Sequence, residues 1–290
     1  MKSSRDGPPQ HQRTSSRASC RSMKDPAEYN VRAVERAARI LACFGNESPV
    51  LSSSEIARAV GLHKSTTHRI LTTLVHHGFL ERASDGIRYR LGLQLADLGF
   101  RVIQRMDTRR EAIPVMTRLR DKWDETCDLS ILDKDGVFYV EVIHSTHTFT
   151  IAASVGRHLP AHCTASGKLF LAHMSVEDLK PFLERPLQAH TRNTITSPEK
   201  LRAHLRETRE RGYSVDRDEY EVGICAVSAP IRDQTSRMVA ALGMPGPTSR
   251  MTPERITDVS AALIEAAGAI SRRLGWQGRS TSSVTSLAAR

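Results

Sequence analysis

Residues 52–78 read SSSEIARAVGLHKSTTHRILTTLVHHG, two short helical patterns joined by Gly61-Leu62. The first opens on Ser52-Ser53-Ser54-Glu55, an S-x-x-E capping box. It turns Ile56, Ala57 and Val60 to one side and stops at Gly61. The second runs from about His63 to His77. Its Thr67, Ile70, Leu71 and Leu74 make one i, i+3, i+4, i+7 stripe, and Gly78 is a natural stop. The opposite face carries Lys64, Ser65, Thr66, His68, Arg69, Thr72 and Thr73. A helix that needs only to be soluble more often uses Glu and Lys, so small hydroxyls and cations here suit contact with a polar, anionic surface.

The flanks complete a unit. Upstream, Val34, Ala37, Ala38, Leu41 and Phe44 recur at helical spacing. Downstream, Phe79–Arg82 and Ile87–Leu91 flank Asp85-Gly86, a favoured hairpin turn. Helix, helix-turn-helix and hairpin in this order predict a winged helix-turn-helix domain over 29–92. In such a domain the second helix lies in the major groove of DNA with its N-terminal residues at base edges. Arg69 is then placed to pair bidentately with guanine O6 and N7. Ser65 and Thr66 reach bases or phosphates, and His68 and Thr73 share their face. Lys64 and the positive helix end suit phosphate, and Arg88 on the wing reaches the adjacent backbone. The plain alternative is a solvated face on a small packed domain.

Bulk properties agree. A chain of 290 residues suggests two domains, and 39% apolar content supports packed cores. No run approaches the roughly 18 uncharged apolar residues of a spanning helix, and the N-terminus lacks the apolar region of a secretory signal. Five scattered cysteines without a C-x-x-C fit a reducing cytoplasm better than a disulfide framework or zinc ribbon. The net charge of +10 and pI near 9.7 favour a polyanionic partner. Part of that charge sits in residues 1–28, a Ser/Arg/Pro-rich tail expected to be disordered, as are residues 277–290.

Beyond the hairpin, residues 93–107 predict a linker helix, and 108–276 a second, α+β domain. Its expected elements are an amphipathic helix with Ile113, Met116, Leu119 and Trp123, and Pro114 in its first turn. Strands follow at 128–132, 137–142 and 148–153, and helices at 166–174, 175–184 and 198–211. Strands at 212–215, 224–231 and 238–244 precede a closing helix over 252–274.

GLHKSTTHRILTTLVHHGFL followed by YRLG resembles the DNA-binding domain of the IclR family of bacterial transcription regulators. LPAHCTASGKLFLAHM, RGYSVDRDEYEVGICAVSAPI and GPTSRMTPERI resemble that family's effector-domain signatures. The likeness covers about residues 30–275. It implies an N-terminal winged helix-turn-helix domain, a helical linker and a GAF-like effector-binding domain. It also implies dimers that often pair into tetramers, inverted-repeat operators and a small organic acid as effector. The ligand-responsive regulator so implied is a cytoplasmic repressor of a catabolic operon, with no cofactor, no metal and no membrane partner. Symmetry points the same way, because a dyad-related pair of recognition helices reads dyad-related half-sites.

The resemblance carries Ile151, Leu159 and Ile224 onto an apolar pocket wall, Ala165 and Ser166 onto an anion-holding helix start, and Asp216 onto a polar pocket position. Three positions depart from the family pattern. Ala226 stands where many members have Cys or Ser; Cys225, one place earlier, is kept with Ala226 as a pocket candidate, although a one-residue shift on a strand turns a side chain to the other face. Gly243 and Pro245 stand where hydroxyl residues are common. The departures predict fewer polar anchors and more open volume, hence a ligand larger or more apolar than a two- or three-carbon keto acid, such as an aromatic carboxylate.

Two rival functions fit parts of the sequence. His162-Cys163 with Asp216 invites a thiol-based enzyme, but adjacent residues rarely face each other and nothing defines an oxyanion hole. A non-specific nucleic-acid binder would use the same charge without base readout. Ala165-Ser166-Gly167-Lys168 fails as a phosphate loop because Leu169 follows where Ser or Thr is needed. His144-x-x-His147 and His76-His77 lack further ligands at metal spacing.

Overall fold

A computed structural model describes residues 31–45, 48–134, 136–148, 151 and 153–278. The tail at 1–28, and the C-terminal one from 279 onward, lie outside the described residues. The chain divides at Leu98/Gly99 into two compact units.

In the first unit α1 (Arg32–Leu41), α2 (Ser53–Val60) and α3 (Lys64–His76) precede the antiparallel pair β1 (Leu80–Arg82) and β2 (Tyr89–Leu91). The capping box forms as the sequence predicts: Glu55 N–H donates to Ser52 Oγ at 3.3 Å, and Ser52 N–H to Glu55 Oε2 at 2.7 Å. Gly61 ends α2 at φ 66°, a left-handed conformation that costs glycine little. Ile40, Ile56, Val60, Leu71, Leu74, Leu80 and Tyr89 form one core. Thr67 is buried with them, whereas Ile70 is only half-buried. At the wing tip the Asp85 carboxylate accepts from the backbone N–H of Ile87 and Arg88, which shortens the second strand relative to expectation. Helix α4 (Leu93–Gln104) follows.

In the second unit, which starts within α4, helix α5 (Asp107–Trp123) corrects one expectation. Pro114 lies in the interior of this 17-residue helix and not in its first turn. It is exposed, while Ala112, Val115, Met116 and Leu119 are buried. The carbonyl that proline leaves without a partner therefore lies on the wet side, and burial of the other face offsets the lost bond.

A six-stranded antiparallel sheet has the order β5-β4-β3-β8-β7-β6. The strands are β3 (Cys127–Asp133), β4 (Gly136–Ile143), β5 (His158–Pro160), β6 (Ser214–Arg217), β7 (Ile224–Arg232) and β8 (Met238–Pro247). Strand β5 was not expected. Of the strand expected over 148–153, the described residues Thr148, Ile151 and Ala153 carry none, and the others lie outside the described residues. The helices are α6 (Ala165–His173), α7 (Val176–Leu183), α8 (Pro198–Arg211) and α9 (Pro253–Arg273).

Side chains alternate across a strand, and here the alternation separates two chemistries. Cys127, Leu129, Cys225, Val227, Ala229, Leu242 and Met244 join α5 and α9 in the main core. The opposite face carries Asp128, Ser130, Ser214, Asp216, Ser228 and Gly243. Helix α6 covers this second face and packs on its outer side against α8. The α+β architecture is the expected one.

Candidate functional site

The recognition ridge of α3 stands clear of its core. Lys64, Ser65, His68, Arg69, Thr72 and Thr73 are exposed and Thr66 half-buried. His63 is the N-cap, its Nδ1 accepting from Ser65 N–H at 3.4 Å. The first turn holds no acid, so nothing there neutralises the positive helix end. Two of the threonines are already engaged. Thr72 Oγ1 donates to the carbonyl of His68 at 2.9 Å, and Thr73 Oγ1 to that of Arg69 at 3.0 Å. Thr73 can offer DNA only its oxygen lone pairs. Lys64, His68 and Arg69 make no side-chain hydrogen bond or ion pair among the described residues. A shallow groove beside the ridge is lined by Ala33, Arg36 and Ala37 of α1 and by Thr66, Arg69, Ile70 and Thr73 of α3. On the wing, Arg88 Nε meets Asp85 Oδ2 at 2.7 Å, and Arg88 is half-exposed. That contact fixes its root while leaving part of its guanidinium outward.

The second candidate is a partly enclosed pocket of ≈ 50 Å³ between the polar sheet face and α6. Ile151, Leu159, Ala165, Ser166, Asp216, Ile224, Ala226 and Pro245 all line it. Thr164 caps α6, its Oγ1 accepting from Gly167 N–H at 3.3 Å. Lys168 N–H is taken by the Thr164 carbonyl, so the N–H groups of Ala165 and Ser166 lead the helix without an intrahelical acceptor. Ser166 Oγ lies 2.9 Å from Ser228 Oγ. Below, Lys168 is fully buried and is held by the Val215 carbonyl at 2.7 Å and by Glu219 Oε1. The loop that follows brings Tyr220 and Glu221 to the rim. It is pinned by Thr191 and Thr194, whose hydroxyls donate to the carbonyls of Asp218 and Glu219.

Two candidates are corrected. Cys225 is not in the pocket wall; it is buried in the core on the other face, as the one-residue shift requires. Gly243 does not line the pocket either, and its missing side chain does not open space. A Cβ there would stand 2.4 Å from Asp128 Oδ1, so Asp128 fills the gap and Gly243 adds no open volume.

Asp128 is among the lining residues that sequence reading missed, with Tyr139, Arg157, Tyr220, Glu221 and Ser228. The signal for Asp128 was an acid in mid-strand, alternating with Leu129 and followed by Ser130. Burial pushes the Asp128 carboxyl up to about 7. Asp216 also reaches about 7, chiefly through burial, against the pull of Lys168 and a hydrogen bond from Glu219 N–H. A carboxyl raised on folding favours the protonated native state. Its contribution is complete below the unfolded value near 4 and is lost as pH rises through 7. Asp128→Asn carries no such proton. The variant should gain on the parent protein by roughly 3 kcal/mol between pH 4 and pH 8, measured as the change in the stability difference from urea unfolding at both values.

The residues of the thiol-enzyme reading are not set up to activate a thiol. Burial, with Asp216 nearby, pushes the Cys163 thiol up to about 12, and His162 Nε2 is occupied by the Gln188 carbonyl at 2.8 Å. Among the described residues, one group of possible metal ligands lies close together: His162, Cys163 and His190, with ligand atoms within 4.8 Å of one another. Sequence spacing does not reveal it, since His190 is remote in the chain. No described helix is long and apolar enough to cross a membrane.

Comparison with known proteins covers both sites. Residues 33–84 match the model of the IclR helix-turn-helix domain, and residues 100–272 that of the bacterial transcriptional regulator IclR C-terminal domain. The chain is 35% identical over 248 residues to the HTH-type transcriptional regulator XynR of Escherichia coli K12, covering 85% of this chain and 98% of that one. It is 31% identical over 253 residues to the transcriptional repressor IclR of the same organism, covering 86% and 92%. Among solved structures, an IclR homolog of Microbacterium hydrocarbonoxydans complexed with 4-hydroxybenzoate superposes with TM-score 0.72 at 30% identity, over 83% of this chain and 98% of that one. A transcriptional regulator from Silicibacter sp. TM1040 gives TM-score 0.76 at 27% identity, over 85% and 98%.

Proposed function

The chain belongs to the IclR family of bacterial transcriptional regulators, a DNA-binding regulator and not an enzyme, and from that premise we propose that it represses a catabolic operon in the cytoplasm under control of a small organic acid. The observation that carries the DNA half is the exposed ridge of α3. Lys64, His68 and Arg69 project without side-chain partners among the described residues, from a helix whose other side is anchored by Leu71 and Leu74. Ser65, Thr66 and Thr73 supply hydroxyls beside them, and Arg88 supplies a wing contact.

The functional unit in this proposal is a homodimer or a dimer of dimers. Leu93, Phe100 and Val102 of α4 are each more than 60% exposed, and apolar side chains so displayed along one helix suit a copy of the same helix. The effector lies in the pocket under α6. Its carboxylate meets the leading N–H groups of Ala165 and Ser166, and its body packs on Ile151, Leu159 and Ile224. An aromatic acid fits the family precedent, because the Microbacterium hydrocarbonoxydans homolog was solved with 4-hydroxybenzoate. Ligand binding shifts the population between two placements of the DNA-binding domains with α4 as lever, and DNA reciprocally changes ligand affinity.

Selection of duplexes from a random pool by the full chain tests this. Enriched sequences should contain an inverted repeat whose half-sites are spaced by whole turns, about 10 base pairs per turn. Failure to enrich any sequence at physiological salt would leave only charge-driven association and end the proposal.

A further inference from the structure

Asp128 is out of keeping with a pocket built only to hold an acid. It sits on β3 directly opposite Gly243 of β8, which in turn pairs with Ser228 of β7. A Cβ on Gly243 would stand 2.4 Å from Asp128 Oδ1 and 2.8 Å from Oδ2. The carboxyl therefore lies across the glycine and forms part of the pocket wall that Ser166 and Ser228 also line. It is 3% exposed. Its Oδ1 is buried with no hydrogen-bond partner among the described residues, and no cation there is paired with it. Leaving a carboxyl buried and unpartnered is costly unless something completes its bonding. Asp128 itself lines the pocket under α6, where a ligand can complete that bonding. Composition points the same way, because the acidic side chains Asp128, Asp216 and Glu221 outnumber the cationic Arg157 among the described lining residues. A bare carboxylate complements that wall poorly.

We propose that the effector carries, besides its acid group, a hydrogen-bond donor, either an ammonium or a hydroxyl, that is received by the Asp128 carboxylate over Gly243. This rests on the pocket under α6 being the effector site. The acid end meets the Ala165 and Ser166 amides, and the donor end meets Asp128, so the site selects bifunctional acids over their unsubstituted parents. Gly243 is the enabling residue, since any side chain there displaces the carboxyl.

Titration calorimetry of the full chain with two matched trios of acids tests the idea. One trio is propionate, 3-hydroxypropionate and 3-aminopropionate; the other is benzoate, 4-hydroxybenzoate and 4-(aminomethyl)benzoate. In at least one trio a donor-bearing acid should bind about tenfold or more tighter than its parent, the scale of one hydrogen bond to a charged group. Asp128→Ala should abolish that preference. Gly243→Ala should abolish it too with Asp128 still present. Asp128→Asn separates the donors: it keeps an acceptor for a hydroxyl and loses the charge an ammonium needs. Parent acids binding as tightly as their donor-bearing partners in both trios, or a preference that survives Asp128→Ala, overturns this inference while leaving the acid site standing. Absence of binding by all six acids overturns both.

Discussion

Arg69→Ala should weaken binding to the selected operator about 10- to 100-fold and flatten the preference at one base pair of each half-site. The magnitude follows from a bidentate arginine–guanine contact, worth roughly 1–3 kcal/mol of discrimination. Arg69 is exposed and makes no side-chain bond within the described residues, so thermal stability should change little, within about 0.5 kcal/mol. The same substitution should leave affinity for random duplex within about threefold, because one lost cation among several removes little of the counterion term. Lys64→Ala provides the contrast. It should weaken all sequences alike and reduce the slope of log affinity against log salt by about one. Gel-shift titrations on the operator and on single-base variants separate the two behaviours. Equal losses on every sequence with Arg69→Ala would mean that α3 grips the duplex without reading it.

Glu219→Ala should destabilise the second unit by about 3–5 kcal/mol, the cost of orphaning one member of a buried ion pair. Lys168 has no exposed surface. Its ammonium is held by Glu219 Oε1 and the Val215 carbonyl, and without the carboxylate the remaining charge has no route to water. The substitution also weakens the hold on the loop that brings Tyr220 and Glu221 to the pocket, so effector affinity should fall with stability. Replacing both partners, as Lys168→Met with Glu219→Leu, should recover most of the lost stability, since the pair has repaid its desolvation only in part. Urea unfolding of the single and double variants decides the matter. A Glu219→Ala protein as stable as the parent would show that the pair contributes no net stability.

The DNA-binding unit was legible in the sequence because its signals are local. A capping box, a left-handed glycine, a four-residue apolar stripe and an Asp-Gly turn each act within a few residues of themselves, and all but the half-buried Ile70 sit where they were read. The pocket was half legible. Ala165, Ser166, Asp216, Ile224, Ala226 and Pro245 came from family likeness and do surround one space. What escaped was Asp128 against Gly243, a relation between strands 115 positions apart in the chain and adjacent only in the sheet. An empty position on one strand looked like free volume, since nothing local says which neighbour leans into it. Pro114 was misjudged for a related reason. Its helix extends by one turn and more toward the N-terminus because the buried Ala112 and Val115 outweigh one missing bond, and that balance is tertiary.

Eight of the nine residues of α6 are buried, with the sheet beneath and α8 above. The amides of its later turns should therefore be among the slowest in the molecule to exchange with deuterated solvent, opening only when the whole unit unfolds. A helix so enclosed cannot report occupancy by fraying. It can pass on a ligand's arrival only by moving as one rigid piece, or by leaving the message to the threonine-pinned loop at the pocket rim.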